Sequence, residues 1–174
     1  MSGTKKEEKQ LKVLVSACLL GEKVRYNGSS LELDQRLLAE LGRLCTIIPC
    51  CPELAGGLTV PRAPVEIVAR GKSIGGESVL SGQAEVNTAA GDDLTEQFIQ
   101  GAEKALQKCR EQNVRMAILT ERSPSCGVTM IYDGTFSGNK IAGRGVTTAL
   151  LRQNGVQVFS QDQLDLALLA LAKL

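Results

Sequence analysis

Three short apolar runs in this chain each give way to a loop rich in glycine or proline, and each of those loops carries a cysteine. Leu11 to Ala17 leads to Cys18, Thr46 to Ile48 leads to Cys50 and Cys51, and Val114 to Leu119 leads to Cys126 inside the segment Thr120–Gly127, TERSPSCG. Short runs of aliphatic and β-branched residues bounded by turn formers read as buried strands. Helical spacing fills the intervals. Leu33, Leu37, Leu38 and Leu41 predict a helix stopped by Gly42. Leu94, Phe98, Ala102, Ala105 and Leu106 share one face of a longer helix over Asp92–Gln112, with Asp92 or Asp93 as its cap.

Pro64 to Arg70 alternates as a strand, and Glu77 to Leu80 is expected to return beside it as a hairpin across Gly71–Gly76. A glycine-rich stretch follows TERSPSCG. Val146–Gln153 then reads as a short helix, Val156–Phe159 as a last strand and Gln161–Leu174 as a closing helix. This mostly alternating order predicts an α/β layered domain over residues 11–174, with a largely parallel sheet flanked by helices in a Rossmann-like manner. Residues 1–10 carry the charged run Lys5–Lys9 with no apolar stretch and read as a mobile tail. Sites in open parallel sheets gather outside the carboxyl ends of the strands. Cys18, Cys51 and Cys126 all follow such ends and are therefore expected to converge.

Composition removes several classes of function. Of the 174 residues only 3% are aromatic, none is Trp, and the net charge is +1. A base-stacking surface and a basic stripe for a phosphate backbone are both lacking, so a nucleic-acid partner is not expected. The apolar runs fall far short of a membrane span, and the charged start is no secretory signal. A cytoplasmic location is the resulting expectation. Oligomeric state leaves no trace in the sequence.

The chain has six cysteines and no histidine. In a reducing compartment the cysteines are not expected to form disulfides. Without imidazole, acid–base chemistry falls to carboxylates, hydroxyls, lysine or bound water. Cys45 and Cys109 read as small buried hydrophobes, and Cys50 either flanks the site or packs beneath it. Cys18, Cys51 and Cys126 leave three options open. A structural zinc wants four protein ligands and usually a CxxC spacing, which is not present. Three thiolates can hold a [4Fe–4S] cluster with one iron left open. A single catalytic thiol would have to be activated without histidine.

The flanking polar residues are candidates for the same site. Glu53 follows Cys51 by two residues, in a loop where Pro49 and Pro52 favour extended backbone over helix. Ser123 precedes Cys126 by three and can turn back toward it. Arg25 and Arg62 are expected at the rim, with Tyr26 and Asn27 beside Arg25. Glu66 reads as a further site group or as an edge-strand charge. The glycines before Val146 open a helix and form a weak candidate for anion binding.

Taken in order, SACLLGEKVRYNG, CCPELAGGLTVPRAPVEI, DLTEQFIQGA, LTERSPSCG and GRGVTTALL resemble the thiouracil desulfurase (TudS-like) family, formerly a bacterial domain family of unknown function. The resemblance covers nearly the whole chain after residue 11. It implies a [4Fe–4S] cluster held by Cys18, Cys51 and Cys126 with one open iron, and it implies that Glu53 and Ser123 belong to the active site. The implied substrate is a small thiolated nucleobase such as 2-thiouracil, converted to uracil and hydrosulfide without net redox. The open iron would polarise the C–S bond, while water oriented or deprotonated by Glu53, with help from Ser123, attacks the carbon. Arg25, Tyr26, Asn27 and Arg62 are expected to contact the ring. The competing expectation is a non-catalytic metal-binding protein of sulfur handling, holding zinc or an iron–sulfur group.

Overall fold

The computed structural model describes residues 10–174. The tail expected over residues 1–10 lies, except for Gln10, outside the described residues. The central sheet is parallel, with strand order β2-β1-β5-β8. Its strands are β1 (Lys12–Ser16), β2 (Thr46–Cys50), β5 (Met116–Leu119) and β8 (Gln157–Ser160). Side-chain alternation on β1 divides the core between two layers. Leu14 faces one way and packs with Ala105, Leu106, Ala117 and Leu151. Val13 and Val15 face the other way and pack with Leu41, Met116, Ile118 and Leu164. The first layer is covered by α4 (Thr95–Gln112) and α5 (Val146–Gln153), the second by α1 (Gln35–Leu44) and α6 (Leu164–Leu171). The α/β expectation therefore holds.

β1 has β2 on one side and β5 on the other, so the chain reverses its direction of travel across the sheet between β1 and β5. Connections leaving such neighbours diverge to opposite faces and open a crevice at the carboxyl ends. The three cysteine loops leave β1, β2 and β5 at this edge.

Several local expectations are corrected. Glu77–Leu80 is not a strand. Gly76–Leu80 forms the short helix α3, and the antiparallel partner of β3 (Val65–Ala69) is β4 (Ala84–Thr88). The period-2 signal of β4 lies in Ala84, Val86 and Thr88, which alternate buried with half-buried neighbours. The glycine-rich stretch after TERSPSCG contains a second hairpin, β6 (Met130–Tyr132) with β7 (Lys140–Ala142). Strands of three residues are too short for periodicity to reveal.

The first helix starts later than expected because Asp34 caps it, accepting from the amides of Arg36 and Leu37, and Gly42 lies inside it. Asp92 and Asp93 do not cap the long helix. Asp92 bonds Thr88, and Asp93 accepts from the Thr95 amide in the turn before it. Pro49 and Pro52 do not enforce an extended loop. Pro49 sits in β2, an edge strand that tolerates a missing donor, and Pro52 opens the single-turn helix α2 (Pro52–Ala55). The closing segment begins with a 3-10 turn at Gln161–Gln163, fixed by a Ser160–Gln163 capping box, before α6.

The short helix α2 is held against α4 by two glycines. A Cβ at Gly101 would overlap the carbonyl oxygen of Pro52, and one at Gly56 that of Gln97. This backbone-on-backbone contact seats the segment that carries Cys51 and Glu53. Gly101→Ala is expected to destabilise the protein by about 1–3 kcal/mol, the usual cost of overpacking. Urea titration of the variant against wild type measures it, and unchanged stability would show that α2 is free to move.

Candidate functional site

The carboxyl ends of β1, β2 and β5 enclose a cavity of about 330 Å³, and Cys18, Cys51, Cys126, Glu53 and Ser123 all line it. Cys18 lies in the 3-10 turn Ala17–Leu20 directly after β1. Cys51 is the residue before α2, and Cys126 sits in the loop after β5. All six cysteines are free thiols. Cys50 borders the cavity too, but it is buried in the same apolar cluster as Cys109 and Cys126.

The geometry around Cys126 is built by its own loop. Arg122 adopts a left-handed φ of 67°, which turns the chain sharply before Ser123. The Ser123 hydroxyl oxygen accepts from the amides of Ser125 (3.1 Å) and Cys126 (3.0 Å), and the hydroxyl donates to Glu53 Oε1 at 3.3 Å. The loop carbonyls of Pro124 and Ser125 in turn accept from the first amides of α5, Val146 and Thr147. Those amides are the donors that an anion would have needed, and a Cβ at Gly145 would overlap the Ser125 carbonyl. The weak anion-binding expectation for this helix start is therefore overturned.

Glu121 was not singled out from the sequence, although it lies within TERSPSCG. It is 5% exposed. Its Oε1 accepts from the amides of Val128 (2.8 Å), Thr129 (2.9 Å) and Met130 (3.0 Å), and its Oε2 from the Thr129 hydroxyl (2.9 Å). Burial raises its pKa, but the amides of Thr129, Met130 and Val128 outweigh that and hold the carboxyl below its ordinary value.

The thiols are tuned the opposite way. Burial raises the pKa of Cys126 well above the ordinary thiol value, helped by the charges of Cys51 and Glu53 and opposed by a hydrogen bond with Ser16. Burial also raises Cys18, against a hydrogen bond with Thr120 (2.8 Å) and the nearby charge of Arg25. Cys51 is raised by burial as well. The cavity thus holds neutral thiols, and any metal group bound through thiolates must displace their protons.

Arg62 lines the cavity, but its guanidinium is directed at the protein. Nε and Nη2 both donate to Glu53 Oε2, at 2.8 and 2.5 Å, and further donors reach the carbonyls of Val24 and Thr59. Its geometry is that of a clamp on Glu53, where the sequence suggested a ring contact. Arg25 and Tyr26 line the cavity, with the Arg25 guanidinium over the Tyr26 ring at 6.0 Å. Asn27 is not among the lining residues. Its Oδ1 accepts from the amide and the hydroxyl of Ser29 and closes its own turn.

Among the described residues, no three His, Cys, Asp or Glu side chains converge on a point that one metal ion would fill. A cubane cluster takes its thiolates on separate irons. Three thiols spread around one cavity fit that group better than a single zinc ion. Among the same residues, no helix is long and apolar enough to cross a membrane.

Glu121→Gln is expected to cost roughly 1–3 kcal/mol at about pH 7, because charged hydrogen bonds to buried amides become neutral ones. The folded-state carboxyl lies below its unfolded value of about 4.3, so its stabilisation is complete above that pH and is lost as pH falls through the folded-state value. Denaturant titrations at several pH values should show the gap between variant and wild type closing below about pH 4.

Three comparisons bear on this site. A family model described as 2-thiouracil desulfurase matches residues 13–163. The uncharacterized protein YbbK of Bacillus subtilis (strain 168) is 46% identical over 155 residues, 88% of this chain and 97% of that protein. A solved structure of the [4Fe–4S]-dependent thiouracil desulfidase TudS is 45% identical, superposes with a TM-score of 0.83, and is matched over 95% of this chain and 100% of its own.

Proposed function

The chain belongs to the 2-thiouracil desulfurase family, and from that premise we propose that it is a [4Fe–4S]-dependent desulfidase acting on a thiolated pyrimidine such as 2-thiouracil. The observation that carries the reading is the meeting of Cys18, Cys51, Cys126, Glu53 and Ser123 around one cavity. In this proposal the three thiolates hold the cluster. When bound, the cluster supplies an open iron as a Lewis acid toward the thiocarbonyl sulfur. The reaction exchanges sulfur for the oxygen of water, giving uracil and hydrosulfide, and no electron changes hands.

Glu53 is the base in this reading. Arg62 occupies Oε2 through two donors, which fixes the carboxylate plane and leaves Oε1 for the reaction side. Ser123 reaches Oε1 from the cysteine loop and orients it. A water held at Oε1 gives up its proton there as it attacks the ring carbon, and that proton is available to the departing sulfur. Ser123 is itself held by two backbone amides, so base and cysteine loop move as one unit. A reducing, cytoplasmic setting is part of the same proposal, since it keeps the six thiols free.

Anaerobic reconstitution should give brown protein carrying iron and acid-labile sulfide, and this protein should release sulfide from 2-thiouracil. Cys18→Ala, Cys51→Ala and Cys126→Ala are each expected to lose both cluster and activity, whereas Cys109→Ala keeps both. Glu53→Gln should retain iron and lose about 100- to 10,000-fold in kcat, the usual contribution of a positioned base. Stoichiometric zinc in anaerobically purified protein, with no sulfide release, would instead establish the non-catalytic metal-binding alternative.

A further inference from the structure

Glu66 is a buried carboxylate that the mechanism above leaves without a task. It lies on β3, is 9% exposed and lines the same cavity as Glu53 and the three cysteines. One oxygen, Oε2, accepts from the backbone amides of Gly134 (2.8 Å) and Phe136 (3.2 Å) in the β6–β7 turn. That turn fits closely on β3. Gly134 has a φ of +83°, and a Cβ there would press on the carbonyl oxygen of Ile67. The carboxylate is therefore fixed in orientation. Its other oxygen, Oε1, receives no hydrogen bond from the described residues, and Glu66 forms no ion pair among them. A carboxylate oxygen that lines a binding cavity gives up its water when a ligand enters, and then needs a donor from that ligand.

The structure assigns that donor to the substrate: Glu66 Oε1 accepts a ring N–H of the pyrimidine. The inference rests on the desulfidase reading for the identity of the ring. In a 2-thiopyrimidine both ring nitrogens flank the carbon that bears sulfur. An acceptor for one N–H thus orients that carbon within the cavity that also holds Glu53. The role defines a substrate class, namely thiolated pyrimidines that keep a free N–H beside the thiocarbonyl carbon. A buried carboxylate discriminates strongly here, because an N-alkylated ring leaves it without a donor.

Calorimetric titration of the anaerobically reconstituted full chain with uracil and with 1,3-dimethyluracil tests this directly. Wild type should bind uracil roughly 10- to 100-fold more tightly than the dimethyl compound, the range expected for one hydrogen bond to a charged group. In Glu66→Gln the amide oxygen can keep the two backbone bonds while its NH2 presents a donor to the ring N–H. Uracil affinity should fall by the same factor, and dimethyluracil affinity should not. Equal affinity of wild type for the two ligands overturns the assignment even if the variant fails to fold, and so does unchanged uracil binding by a folded variant. Sulfide release from 2-thiouracil by wild type is measured alongside. Binding that depends on Glu66 without sulfide release would sink the desulfidase reading and leave the assignment standing. Sulfide release with uracil binding indifferent to Glu66 would do the reverse.

Discussion

The loop after β5 depends on a single requirement, that its buried backbone amides find acceptors. An unmet amide in such a place costs about as much as a lost hydrogen bond, and this loop has many. Glu121 receives three amides from residues 128–130, and the Ser123 oxygen receives two more from Ser125 and Cys126. The carbonyls of the same loop complete the open end of α5. The loop and the helix satisfy one another, so Cys126 stands on a frame that includes β5, α5 and the start of β6.

The same economy of polar groups shapes the chemistry. Ser16 ends β1 and Thr120 follows β5, and each stands beside a cysteine of the other strand's loop: Thr120 is hydrogen-bonded to Cys18 at 2.8 Å, and Ser16 neighbours Cys126. The Ser16 oxygen also accepts the Thr120 amide at 3.0 Å, tying the two arms together. Around them the thiols remain neutral because burial disfavours the thiolate. The ion pair of Glu53 with Arg62 is largely buried and held by further hydrogen bonds, and pairs of that kind serve geometry more than net stability. Glu53 is thereby presented with one oxygen clamped and one facing its serine.

Much of this was legible in the chain itself. The strand-loop-cysteine pattern at Cys18, Cys51 and Cys126 was readable because a buried parallel strand needs an apolar run and its exit needs glycine or proline. Missed elements were those whose signal is short or context-dependent. β6 and β7 have three residues each, and α3 and α2 are single turns. Glu121 was hidden for another reason, and for the same reason Glu66 could not be told from an edge-strand charge. A carboxylate in a loop or strand usually faces water, and only the amides brought to it from residues 128–130 and 134–136 reveal a buried acceptor.

Sequence alone determined the alternation of strands and helices and the placing of a cysteine after each of three strands, with Glu53 and Ser123 close by in the chain, because periodicity and turn chemistry are local properties; that the three loops meet was decided by the strand order. Tertiary structure decided which polar groups share partners. Arg62 faces Glu53, Asn27 closes its own turn, the start of α5 is filled by loop carbonyls, and Glu66 keeps one oxygen free in the cavity. Hydrogen-bond partners 70 residues apart, as Ser123 and Glu53 are, are chosen by the packing of the sheet and leave no periodic trace in the sequence.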